Sequence, residues 1–160
     1  MAIMRLVSLV TVVIVGCSLS ASAQNPPAPA SQAPPRAATP PCGPNLASDI
    51  KNVDKQSRCF ELRTYTVRPG GSIDLLHSRF REHTTRLFKK HGMTIVGYWQ
   101  PVTKPDTLIY LLAYKDTAAR DMSWAGFQAD PEWRKVVGEM VVPLQVEAVF
   151  MSATDYSPMK

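Results

Sequence analysis

Three histidines, His77, His83 and His91, are the residues of this chain best suited to move a proton or hold a haem iron, because imidazole titrates near neutrality and ligates through either ring nitrogen. They stand at i, i+6 and i+14. On a helix advancing about 100° per residue from Ile73, His91 returns to about 0°, His77 lies near 40° and His83 near −80°. All three fall on or beside the apolar face, where a neutral histidine is most often a satisfied core residue. The functional alternative points one of them into a cavity between helix and sheet, as acid/base or haem ligand. His83, beside Glu82 and at the edge of the stripe, is the first candidate for a catalytic role.

The same spacing speaks against a metal, since no two of these imidazoles stand one helical turn apart as an H-x-x-x-H site requires. No nucleophile elbow, phosphate loop or dinucleotide fingerprint is present; Pro69-Gly70-Gly71 precedes a helix but lacks the rest of any such signature. Metal hydrolysis and nucleotide chemistry are thereby disfavoured, and no resident cofactor is expected, with haem as the one exception left open. The aromatics offer another chemistry. Tyr65, Trp99 and Trp124, with Arg63 or His83 as a polar handle, would line a cavity for a small apolar or aromatic ligand. Most of these rings also serve as ordinary core in a small domain.

The elements that must position these residues follow from pattern. Phe60 to Val67 alternates and is rich in Thr, Tyr and Val, a strand. Ser72 is an N-cap for a helix from Ile73 to His91, with Gly92 as its stop. Ile73, Leu76, Phe80, Thr84, Leu87 and Phe88 fall within one third of that helix, with Arg79, Arg81, Glu82, Arg86, Lys89 and Lys90 outside it. Met93 to Val102 and Thr107 to Tyr114 read as strands around a Lys104-Pro105-Asp106 turn. Asp116 caps a helix to about Ala129, and Asp130-Pro131-Glu132 restarts helix with Trp133, Val136, Val137, Met140 and Val141 as its buried stripe. Val146 to Ala153 is the last strand. The order β-α-β-β-α-β is that of a ferredoxin-like α+β domain, an antiparallel four-stranded sheet with both helices on one face.

Leu108-Ile109-Tyr110-Leu111-Leu112-Ala113 is apolar throughout, so both faces of that strand should be covered although the topology covers one. A second copy of the sheet is the simplest cover, which predicts a homodimer through the sheet faces.

Glu61-Leu62-Arg63-Thr64-Tyr65-Thr66-Val67-Arg68-Pro69-Gly70, His91-Gly92-Met93 with Gly97-Tyr98-Trp99, Ala119-Arg120-Asp121 with Trp124 and Phe127, and Asp130-Pro131-Glu132-Trp133 together resemble the NIPSNAP family. The resemblance runs from about Phe60 to Val141. It implies a dimeric α+β barrel, in agreement with the dimer argued from the third strand, and it implies no agreed catalytic set. Superfamily neighbours include monooxygenases, haem-degrading enzymes and lactone isomerases, but fold analogy is a weak warrant for chemistry.

The N-terminus holds one cation, Arg5, an apolar stretch from Leu6 to Val15, and Ala21-Ser22-Ala23. Residues 1–23 therefore read as a secretory signal. Ile14-Val15-Gly16-Cys17 resembles a lipobox, which keeps a lipid anchor at Cys17 open as the alternative to plain cleavage. Residues 24–58 read as a Pro-rich spacer and linker, eight of the 21 residues from Gln24 to Pro44 being proline, with a short helical turn expected between Asn45 and Arg58. Residues 59–160 form the domain. Export to a periplasmic or extracellular compartment would let Cys42 and Cys59 pair, the alternative being two free thiols. Cleavage removes Arg5 and no acid, leaving a net charge of +4, and the residues from Cys59 onward carry 13 bases and 11 acids. No dense basic patch points to nucleic acid.

Two function classes stay open. One is an exported ligand-binding or interaction module; the other is a cofactor-independent monooxygenase, isomerase or haem-handling enzyme.

Overall fold

A computed structural model describes residues 38–44, 46–47 and 49–160, all within one unit spanning Ala37–Lys160. The leader, the lipobox at Cys17 and residues 24–37 of the spacer lie outside the described residues. Strands β1 (Cys59–Val67), β2 (Thr94–Trp99), β3 (Thr107–Tyr114) and β4 (Leu144–Ser152) form one antiparallel sheet in the order β2-β3-β1-β4. The α+β ferredoxin-like arrangement is thus present. Successive side chains of a strand face opposite sides, so Glu61, Arg63 and Tyr65 share one side with Tyr110 and Tyr114 of β3.

That side carries the helices. Ser72 accepts from the Leu75 amide at 3.2 Å and opens α1 (Ile73–Arg79). The helix then widens into a π turn (Phe80–Thr84), where the Thr85 amide bonds back to the Phe80 carbonyl, and resumes as α2 (Thr85–Lys90). Gly92, at φ +76°, ends it in the left-handed region that glycine enters without penalty. Asp116 caps α3 (Thr117–Ala129) through the Ala119 amide at 2.8 Å. Asp130 accepts from the Glu132 amide at 2.9 Å and starts α4 (Pro131–Glu139), Pro131 standing where its missing N–H costs nothing. Leu76, Leu87, Phe88, Trp124 and Phe127 pack against Leu108, Tyr110 and Leu112 to make the core.

Four expectations need correction. Arg79, placed outside the buried arc by regular helical phase, is buried. It stands one turn beyond Leu76 at the flank of the apolar face, and the Met140 carbonyl and the Trp133 ring of the α4 region close over it. The α4 stripe closes only at Val136: the helix stops at Met140, leaving Val141 exposed, and Val137 also stays open to solvent. Strand β2 ends at Trp99, and its register shifts between Ile95 and Gly97; Pro101, without an amide proton, cannot extend the ladder. Among the described residues from 46 to 58 the expected short helical segment is reduced to two isolated turns, Ile50 N donating to Ala47 O at 3.1 Å and Ser57 N to Asp54 O at 3.0 Å. This polar stretch is held instead by backbone bonds to the end of β4, with Asp54 N donating to Ala153 O at 2.9 Å and a single bridge between Val53 and Thr154.

Cys42 and Cys59 form a disulfide with Cα atoms 4.7 Å apart, closing 17 residues. The tail is tied further by the Cys42 amide, which donates to Thr117 Oγ1 at 2.9 Å, and by the Gly43 amide, which donates to Ser152 Oγ at 2.8 Å.

Among the described residues no helix is long and apolar enough to cross a membrane. The sheet side away from the helices presents Leu62, Ile109, Leu111 and Met151 partly covered and Val149 and Trp99 exposed.

Candidate functional site

Between the helices and the sheet lies a cavity of about 230 Å³. Its floor comes from Arg63 and Tyr65 of β1, one wall from Arg79, Phe80 and Thr84 at the π turn, and the other from Trp124, Phe127 and Trp133 of α3 and α4. The π turn shapes this wall, with Thr84 Oγ1 donating to the Arg79 carbonyl at 3.2 Å. Val137, exposed on α4, sits at the rim. The rings brace one another, Phe127 against Trp133 with centroids 4.3 Å apart and Phe88 against Trp124 at 5.6 Å.

Beside the cavity a buried carboxylate organises the polar groups. Glu61, 0% exposed, receives Arg63 Nη1 at 2.6 Å and Arg120 Nη2 at 2.9 Å on Oε1. Its Oε2 receives Arg120 Nε at 3.0 Å, Trp124 Nε1 at 2.8 Å and the Tyr114 hydroxyl at 3.1 Å. Burial pushes this carboxyl up, but the Arg120 hydrogen bonds and the charges of Arg63 and Arg120 overcome it and hold it below the usual carboxylate range. Burial and then the Glu61 charge push the Tyr114 phenol far up, keeping it a donor. Arg63 also lies over the Trp124 ring, 4.4 Å from its centroid. A carboxylate saturated in this way is a structural anchor and a poor proton carrier.

Arg79 is the other cation of the cavity and differs from Arg63. It is 3% exposed, donates through Nη1 to the Met140 carbonyl at 3.1 Å, and lies 5.6 Å from the Trp133 centroid. Among the described residues no carboxylate reaches it within ion-pair distance. Burial pulls its guanidinium below the ordinary arginine range. Among the described residues the buried Arg63 Nε and Arg79 Nε have no hydrogen-bond partner. The Tyr110 ring packs 5.1 Å from that of Tyr65.

The structure brings together Arg63, Tyr65 and Trp124 of the expected ligand set and leaves His83 and Trp99 outside. The His83 side chain is 31% exposed, with Nε2 3.8 Å from Glu82 Oε2, and it is not part of the cavity lining. Trp99, 51% exposed, borders a shallower recess with His77 and Tyr98. His77 meets Gln100 at 2.9 Å. His91 Nε2 lies 2.7 Å from Asp130 Oδ2, which Lys90 also reaches at 2.7 Å. Those bonds, Lys90 first and His91 second, hold the Asp130 carboxyl far below its ordinary range. No group of three or more His, Cys, Asp or Glu among the described residues could hold a metal ion.

Sequence reasoning missed Glu61, Arg79 and Arg120. Glu61 had a readable signal, since it alternates in phase with Arg63 and Tyr65 on the inward side of β1, and a carboxylate there requires cationic partners. Arg79 had none, because regular phase puts it outside the apolar third of the helix and its cover comes from Trp133 and Met140, more than fifty residues away.

The NIPSNAP family model matches residues 60–158. Among solved structures, a NIPSNAP family protein from Agrobacterium tumefaciens is similar at a TM-score of 0.61 and 20% identity, over 68% of this chain and 99% of that one. A NIPSNAP-like domain protein from Burkholderia xenovorans follows the same course at 0.56 and 20% identity, over 63% of this chain and 89% of its own. Identities this low bear on the fold alone. No curated protein matches the chain.

Proposed function

The chain belongs to the NIPSNAP family, and on that premise we propose that it is an exported homodimeric binding protein that takes a small ligand with an apolar or aromatic body between its sheet and its helices. The observation that carries this reading is the ring-walled cavity of about 230 Å³, smaller than a drug-sized pocket and suited to a body of one or two rings. Among the described residues its lining holds no imidazole, thiol or carboxylate, the groups that general acid/base, nucleophilic or haem-ligating chemistry would call on. Binding is therefore favoured over the alternative of an oxygenase, isomerase or haem-handling enzyme.

The dimer is supported by the partly covered apolar side of the sheet, where Trp99 and Val149 stay exposed. A second sheet would remove that surface from water. Export is supported by the Cys42–Cys59 disulfide, a bond that persists in oxidising compartments.

Two of the chain's three tryptophans, Trp124 and Trp133, line the cavity, so ligand entry should change their emission. The test is a fluorescence titration of a Trp99→Phe variant with single-ring probes that do not absorb at the tryptophan excitation wavelength, such as phenylacetate and benzyl alcohol. Saturable quenching is expected. Unchanged emission to about 1 mM of every probe, the level of the weakest useful affinity, would refute the reading.

A further inference from the structure

We propose, resting on the ligand-binding reading above, that the cavity takes a small organic acid, with its apolar or aromatic body among the rings and its carboxylate held by the Arg79 guanidinium. The charges of the site lead there. Two guanidiniums line it, from Arg63 and Arg79, and a third, from Arg120, lies beside it on Glu61. Glu61 answers the first and third, and the exposed Asp121 also takes Arg120, at 3.0 Å. Arg79 has a backbone carbonyl and a tryptophan face and no anion among the described residues. A buried charge without a counter-charge is costly, and proteins keep one where a ligand supplies the partner.

The unpartnered atoms agree in kind. Arg63 Nε and Arg79 Nε are both N–H donors on cations, both buried, and both belong to residues lining this one cavity. A guanidinium presents its donors in a planar fork that matches the two oxygens of a carboxylate. A neutral ligand of the same shape would leave those donors unpaired, which is the condition under which a polar site discriminates strongly. Around them the walls are rings, Phe80, Trp124, Phe127 and Trp133, so the remainder of the ligand is apolar.

The experiment compares indole-3-acetate with its neutral near-isostere indole-3-acetamide by isothermal titration calorimetry on the full chain carrying the disulfide, then repeats both with Arg79→Met and Arg79→Gln. The acid should bind the wild type at least tenfold more tightly than the amide. That preference should vanish in both variants, acid and amide then binding within about twofold of each other. The wild-type comparison needs no variant to fold. Equal affinities for acid and amide would overturn the anion assignment and leave the ligand-binding reading standing. An acid preference that survives in either Arg79 variant would remove Arg79 from the role. Failure of both probes to bind at about 1 mM would overturn this inference together with the reading it rests on.

Discussion

Replacing Glu61 with glutamine removes the charge that two arginines, an indole N–H and a phenol share. The wild-type carboxylate accepts five hydrogen bonds between 2.6 and 3.1 Å, two of them a bidentate pair from Arg120. Glutamine keeps the shape, offers one acceptor oxygen, and turns an NH₂ donor toward groups that are themselves donors. The Arg63 and Arg120 guanidiniums, 13% and 15% exposed as side chains, then lack their common counter-charge. Removing one partner of a buried ion pair costs about 3–5 kcal/mol, a large share of the roughly 5–15 kcal/mol that stabilises a domain. At about 4 °C per kcal/mol for a domain near this size, the melting temperature should fall by about 12–20 °C. Urea unfolding and thermal melting of wild type and Glu61→Gln measure this. An Arg120→Gln partner and the double variant complete a cycle whose coupling should reach about 1–3 kcal/mol. A Glu61→Gln loss under about 1 kcal/mol would refute the argument, because the carboxylate would then be no anchor for its donors.

The remaining predictions test other parts of the structure. Since the folded Glu61 carboxyl is held below its usual range, its contribution is complete above the unfolded value of about 4.3 and is lost as pH falls through the lower folded value; acid unfolding followed by circular dichroism should begin below about pH 4 and be shallower in Glu61→Gln. Cys42→Ser with Cys59→Ser should lose about 2–4 kcal/mol, and mass spectrometry should find the oxidised chain 2 Da lighter than the reduced one, a bond costing two hydrogens; two alkylatable thiols in freshly isolated protein would contradict the pairing. Light scattering at micromolar concentration should give a dimer, and Leu62→Glu on the uncovered sheet side should give a monomer of normal secondary structure; a monomeric wild type would sink the sheet-face dimer. His83→Ala should change stability by no more than about 1–2 kcal/mol and, because His83 lies outside the cavity, leave indole-3-acetate affinity within twofold of wild type; a larger loss would restore His83 as a ligand residue.

The element order was legible in the sequence because it rests on local rules. Alternation marked β1 and β3, the side chains of Ser72, Asp116 and Asp130 made the caps that their types suggested, and Gly92 stopped the first helix at a positive φ that other residues resist. The unbroken apolar run of β3 likewise put Ile109 and Leu111 on the side away from the helices. Arg63, Tyr65 and Trp124 were identified as cavity residues for a related reason, being large inward side chains on elements whose faces the periodicity had already assigned.

Only the tertiary structure decided what those side chains do. Glu61 and Arg120 are 59 residues apart, and β1 and α3 bring them together through a crossover that no local pattern encodes. Arg79, at the end of α1 one turn beyond Leu76, is covered by the Met140 carbonyl and the Trp133 ring, and His83, the first choice on regular phase, lies within the π turn and outside the cavity beside Glu82. Local periodicity assumes a constant advance per residue, and one widened turn breaks that assumption for every side chain beyond it. The number of charges in the sequence was known, but which cation kept no anion depended on distances across the fold.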